Sequence, residues 1–206
     1  MNRMLTTVAI ALALLASSPA WAGPTDQLRE YTDQVIKVLD DPALAQQDRR
    51  AAVRKIAHEA FDVAETAQRV LARHWQARTP AEREEFTQLF ADLLERTYIA
   101  RMDEYGGERI RYVAESVDGN LASVRARIMT RNGTEVAVES RMNRRGERWL
   151  IYDVLIENVS LIANYRAQFD RIVRTSSYED LVKRLKEKRN EFINNPSPPR
   201  AGRSPG

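Results

Sequence analysis

The chain contains no cysteine. Disulfide staples, thiol nucleophiles and cysteine-based metal centres are therefore excluded together. Histidine is almost missing as well, with His58 and His74 the only two. A protein zinc centre uses at least three side-chain ligands, whereas the spacing offers only His58 and Asp62, four residues apart on one helix face. No metal is assigned. G-x-S-x-G, Walker, dinucleotide and H-E-x-x-H patterns are all missing, so no cofactor and no enzymatic activity are expected. A large charge of one sign is lacking too. Thirty-two Lys and Arg face 29 Asp and Glu, a formal net charge of +3, which is not a nucleic-acid footprint. Beyond residue 22 no apolar run approaches the length of a membrane span.

What is present begins with an export pattern. Arg3 precedes the short apolar run Val8–Ala16, and Ala20-Trp21-Ala22 reads as a small-x-small cleavage site. Residues 1–22 are expected to be a signal peptide; an uncleaved anchor is the alternative, and the missing cysteine excludes a lipoprotein. Removing them takes away Arg3 and no acid, so the net charge falls by one, from +3 to +2. Residues 23–193 form the expected single domain. Residues 194–206, rich in Pro, Gly and Ser, are expected to be disordered.

Along the domain, Leu28, Tyr31, Val35 and Val38 form one helical stripe. A second helix is expected from Asp48 as N-cap, with Val53, Ile56 and Ala57 on one face. Phe61-Asp62 reads as a kink or junction, after which Ala67, Val70 and Leu71 resume helical spacing. Thr79-Pro80-Ala81-Glu82 is a capping box with proline at the first helical position. It opens a long helix carrying Phe86, Leu89, Phe90, Leu93, Leu94, Tyr98 and Met102, with a stripe too broad for one narrow contact. Next come strands split by Asp118-Gly119, Asn132-Gly133 and a turn at 143–146. Ala122, Val124, Ala126 and Ile128 share one face of the second strand; Val136, Val138 and Met142 share one face of the third. After the fourth strand, a helix over 159–174 and a last helix capped by Ser176-Ser177 close the domain. The expected class is α+β: a four-stranded antiparallel meander with helices from both chain ends packed on one face.

The densest stretch is Trp149–Phe169. Trp149 and Ile151 share one strand face, and Tyr152, Val154 and Ile156 the other, unless a bulge near Tyr152–Asp153 moves them together. Asp153 in this apolar strand is either a pocket base or, preferentially, a paired carboxylate with a partner such as Arg166. Then Leu161, Ile162, Tyr165 and Phe169 follow a helical period.

The set Tyr152-Asp153-Val154, Ile156-Glu157, Val159-Ser160-Leu161, Asn164-Tyr165-Arg166 and Gln168-Phe169 resembles the signature of the MlaC/toluene-tolerance (Ttg2-type) family. Phe61-Asp62, Trp75, Thr79 with Phe86 and Tyr98, and Trp149 extend the resemblance over roughly residues 27–188. Two positions depart from the family pattern: Asn158 and Ala72 stand where glycine is usual, and a residue with φ > 0 is expected at 158. The resemblance implies an NTF2-like cone of sheet and helices, periplasmic localisation, and a phospholipid carrier. It also implies exchange with an inner-membrane ABC lipid transporter and an outer-membrane lipoprotein complex, in maintenance of outer-membrane lipid asymmetry. A hopanoid or other lipid carrier of the same family is the alternative, as is a pocketed NTF2-like periplasmic enzyme.

With that resemblance, a deep apolar cavity between sheet and long helix is expected, approaching or passing about 1,000 Å³. Lipid tails are expected against Val124, Ile128, Val136, Val138, Met142, Ile151 and Val154 on the sheet. Phe90, Leu94, Tyr98 and Met102 face them from the helix. Tyr152 and Tyr165 are placed at the rim, and Arg166 at the headgroup or in a structural ion pair.

Overall fold

A computed structural model describes residues 22–99 and 106–194, with side chains to residue 191. The expected leader, Met102 and nearly all of the C-terminal tail lie outside these bounds. Six helices and one sheet follow in the order α1 (Pro24–Leu39), α2 (Gln46–Ala60), α3 (Val63–Leu71), α4 (Pro80–Tyr98), β1 (Arg109–Asp118), β2 (Leu121–Met129), β3 (Glu135–Arg145), β4 (Arg148–Ile156), β5 (Val159–Ser160), α5 (Leu161–Thr175) and α6 (Tyr178–Asn194). Among the described residues no helix is long and apolar enough to cross a membrane.

The sheet is an antiparallel meander in the order β1-β2-β3-β4-β5. It has five strands rather than the expected four. The extra strand arises because Glu157 and Asn158 both take positive φ, +49° and +64°. Two successive positive φ values make the tight hairpin turn whose twist suits the flanking strands. The chain therefore doubles back, pairing Leu155 with Ser160 and Ile156 with Val159, and the helix starts two residues later than periodicity implied. Glu157 fixes the turn: its N–H donates to the Ala137 carbonyl at 2.9 Å, and its Oε1 accepts the Ala137 N–H at 2.5 Å.

Helix starts follow the local chemistry. Thr79 and Glu82 form the full capping box of α4. Ser160 Oγ accepts the Ala163 N–H at 2.9 Å to start α5, and Ser177 Oγ accepts the Asp180 N–H at 3.1 Å to start α6. Asp48 is not a cap; α2 begins at Gln46 behind Ala45, and Asp48 sits in the first turn, where its charge suits the helix dipole.

The helices do not all cover one sheet face. α1 and α2 lie over the sheet, where Leu28, Tyr31, Ile56 and Ala60 pack with Ala122, Val124, Met142, Trp149 and Ile151. α3 to α6 form a second core of their own, around Phe86, Phe90, Phe169, Leu71 and Leu181, whose buried members among the described residues all come from helices. Phe90 is stacked with Phe86, ring centroids 5.9 Å apart, and meets Phe169 edge-on at 5.8 Å. α5 leaves from the sheet margin at β5, and α3 and α5 join this core to β4.

Ala72, just past α3, holds φ +46° and ψ −117°. This is backbone that a Cβ opposes, at a cost of about 1–3 kcal/mol. Ala72→Gly should therefore raise stability by about 1 kcal/mol after the extra unfolded-state entropy of glycine is counted, or about 2–4 °C in Tm for a chain of this size. Thermal unfolding by circular dichroism checks it; a lower Tm would contradict the assignment of strain.

Candidate functional site

The two cores meet along β4, and the junction is built from two short sequence features. First, α2 ends because Phe61 adopts an extended conformation, φ −102° and ψ 137°, and bridges Ile151 in parallel. Asp62 then donates its N–H to the Ile151 carbonyl at 2.8 Å. Its Oδ1 caps α3 by accepting the Glu65 N–H at 3.0 Å. Its Oδ2 accepts from Asn143 Nδ2 at 2.9 Å and from Arg145 Nε at 2.7 Å. Burial alone would raise the Asp62 carboxyl, but these donors outweigh it and hold it below the usual carboxylate range.

Second, β4 carries a bulge, one of the two alternatives the sequence left open. Opposite Arg141 and Met142 the register jumps from Asp153 to Ile151, leaving Tyr152 extra. The bulge puts Val154 and Ile156 on the same face as Trp149 and Ile151. Tyr152 is held from both ends, its carbonyl accepting from Thr66 Oγ1 at 3.2 Å and its ring lying 4.1 Å from the Arg69 guanidinium.

Between the two cores, over this junction, is a cavity of about 280 Å³. Ala57 and Phe61 wall it on the sheet-core side, Ala91, Leu94, Tyr98 and Ile99 on the α4 side. Val154, Ile156, Val159 and Leu161 form the floor and one lip. Ile156 and Val159 are among the few exposed large apolar residues, 48% and 63%. The charged or imidazole side chains on its wall are Arg54, His58 and Glu95. The cavity is well below the expected 1,000 Å³. The reason is that both cores close on themselves: the space left is only what neither fills.

Of the residues expected to hold lipid, Leu94, Tyr98 and Val154 line this cavity. Phe90 lies in the helical core, with Tyr165 packed against it. Val124, Met142 and Ile151 lie in the sheet core under α1 and α2. Ile128, Val136 and Val138 are half-buried farther along β2 and β3, with Ile128 opposite Val136 and Val138 opposite Ala126. Arg166 is exposed beside Arg73, Asp170 and Arg174, away from the cavity. Sequence reasoning missed Arg54, Ala57, Ala91, Glu95, Ile99 and Leu161. One signal was available: the α4 stripe is too broad for one contact, and Ala91, Leu94 and Tyr98 form its second edge.

Asp153 is buried and paired, but not with Arg166. Its oxygens accept from Ser160 Oγ at 2.7 Å and from the Ile162 N–H at 3.1 Å, with Arg141 at 3.8 Å. It holds the start of α5 and does not line the cavity. The His58–Asp62 pair does not converge on a ligand either, because the Asp62 carboxylate is already spent on Glu65, Asn143 and Arg145. His74 bonds Asp170 at 2.9 Å. That bond, opposed by burial and joined by Arg73, lowers the Asp170 carboxyl.

The cavity is a mostly apolar one in a small α+β domain, with Arg54, His58 and Glu95 as the charged or imidazole residues of its lining. Comparison with known proteins agrees in fold and family. The MlaC protein family model matches residues 29–187. The intermembrane phospholipid transport system binding protein MlaC of Haemophilus influenzae is 22% identical over 130 residues, 61% of each chain. The match thus spans less than two thirds of that relative's length. A phospholipid-binding protein of Ralstonia solanacearum, solved in complex with a phospholipid, superposes with a TM-score of 0.72 at 24% identity, covering 81% of this chain and 97% of that one. The chain belongs to the MlaC family.

Asp62→Asn should cost about 1–3 kcal/mol near neutral pH, the price of weakening charge-assisted hydrogen bonds at a buried site. Because the folded Asp62 carboxyl sits below its unfolded value of about 3.9, its contribution is present above that pH and lost as pH falls through the folded value. Urea unfolding of both proteins should show the stability gap narrowing below about pH 4. A gap independent of pH would mean the carboxylate is not the source.

Proposed function

We propose that this protein is a periplasmic phospholipid carrier, holding acyl chain in the cavity between its two cores and moving lipid between outer and inner membranes. The observation that carries this reading is the apolar cavity at the seam, in a chain of the MlaC family whose fold matches a protein solved with phospholipid. Its partners on this reading are an inner-membrane ABC lipid transporter and an outer-membrane lipoprotein complex. The headgroup stays at the rim, beside the charged residues.

The cavity volume sets a condition. A sixteen-carbon chain leaving a bilayer gives up roughly 13 kcal/mol, about 0.8 kcal/mol for each methylene. A cavity of about 280 Å³ lies just under the usual range of roughly 300–1,000 Å³ for ligand pockets, so on this reading it enlarges to take up a whole chain. It can do so by parting α2 and the sheet from α4, because each wall belongs to a core that stays intact when they separate. The small closed volume then serves release: a carrier that buried far more than the membrane does would never deliver its lipid.

Solvent extraction of the purified mature chain followed by mass spectrometry should recover phospholipid. Ala91→Trp, which fills the α4 wall, should lower the recovered amount at least several-fold while leaving Tm equal or higher, since it adds apolar contact inside an existing void. A hopanoid in the extract would redirect the cargo assignment. No lipid in the extract and none taken up from vesicles would sink the carrier reading.

A further inference from the structure

The rim of the cavity holds an ion pair whose position exceeds a structural need. Arg54 on α2 and Glu95 on α4 are 2.6 Å apart, with 48% and 20% of their side chains exposed, and both line the cavity. α2 packs with the sheet core and α4 with the helical core, so the pair ties one wall of the seam to the other. Each residue sits on the same helical stripe as its apolar wall. On α2, Arg54, Ala57 and His58 recur at helical spacing; on α4, Ala91, Leu94, Glu95 and Tyr98 do so. Grease and charge are thus adjacent, one turn apart, on both walls. A ligand matching this stripe has hydrocarbon next to an anion.

We propose that Arg54 is a phosphate-recognising residue at the cavity mouth, and that Glu95 occupies it until a lipid phosphodiester takes its place. The inference rests on the acyl-binding reading above and adds its headgroup chemistry. A guanidinium presents a planar fork of donors that fits a carboxylate and a phosphate in the same way. The two unesterified oxygens of a phosphodiester therefore compete with the Glu95 carboxylate for one partner. His58, exposed one helical turn along α2 and on the same wall, offers a further donor to the phosphate. Exchange of carboxylate for phosphate also unties α2 from α4, so headgroup capture loosens the seam that the acyl chain must enter. Loss of the phosphate at delivery lets Glu95 recapture Arg54 and draws the walls together.

The test compares two single-chain ligands of the same short acyl length, both below their micelle concentrations: a lysophosphatidylcholine, which carries a phosphodiester, and a monoacylglycerol, which does not. Affinities are measured on delipidated full mature protein by displacement of a fluorescent fatty acyl probe, and the readout is their ratio. In the wild type the ratio should favour the lysophospholipid. Arg54→Gln should lower the ratio about tenfold, the weight of one charge-assisted hydrogen-bonded contact, and Arg54→Lys should fall between. Glu95→Gln should raise it several-fold, because the competitor is neutral. Far-ultraviolet circular dichroism and Tm establish that each variant folds; if Arg54→Gln does not, Arg54→Lys and Glu95→Gln still decide. Ratios unchanged across the folded variants would overturn the phosphate subsite while leaving acyl binding intact. Absence of binding by either ligand to the wild type would overturn the acyl reading, and the subsite with it.

Discussion

The clamp of Phe61-Asp62 onto the bulged strand β4 is the contact on which the rest of this structure depends. At that point extended Phe61 ends α2, the Asp62 carboxylate caps α3 and accepts from two side chains of β3, and the Asp62 backbone N–H donates to the Ile151 carbonyl of β4. A buried carboxylate is tolerated only when its lone pairs are taken by donors, and here three donors take them. The chain is thereby forced to leave the sheet core and enter the helical core at a fixed place.

Two closed cores with a gap between them behave differently from one core with a hole in it. Enlarging a hole in a single core breaks dense packing and exposes its lining, which costs several kcal/mol. Here the two cores are joined through the Asp62 clamp and through α3 and α5 on β4, and the cavity lies between them. The aromatic cluster of Phe86, Phe90, Tyr165 and Phe169 illustrates the point: its ring contacts, with centroids 5.3–5.9 Å apart, lie wholly within α4 and α5 and need not change if α2 moves. On the carrier reading proposed above, the cavity can therefore grow on its α2 side without disturbing this cluster.

The dense motif around Asp153 proves to be architecture. Asp153 and Ser160 share the start of α5, Glu157 and Asn158 make the tight turn, and Tyr152 is the extra residue of the bulge. Of its residues only Val154, Ile156, Val159 and Leu161 reach the cavity. The motif therefore specifies how a strand hands over to a helix, and the apolar floor of the site is a by-product of that handover. Arg166, polar and prominent in the same motif, sits away from the cavity because α5 turns that face outward.

Local order was written in the chain itself. The capping box at Thr79, the hairpin turns and the helix and strand periods depend on residues within a few positions of one another, so neighbouring residues suffice to read them. The bulge stood in the sequence only as one of two alternatives, the other being a strand covered on both faces, and the register of β3 against β4, which skips Tyr152, decides it. Which apolar faces close on each other is a different matter. The stripe of α4 has two edges, and nothing within the helix says that Phe86 and Phe90 go to the core while Ala91 and Leu94 face a void. Nor does spacing along the chain pair Arg54 with Glu95, 41 positions later (95 − 54). Burial by distant partners decided both, because hydrophobic attraction has no direction of its own and only the assembled neighbours fix where packing stops and space remains.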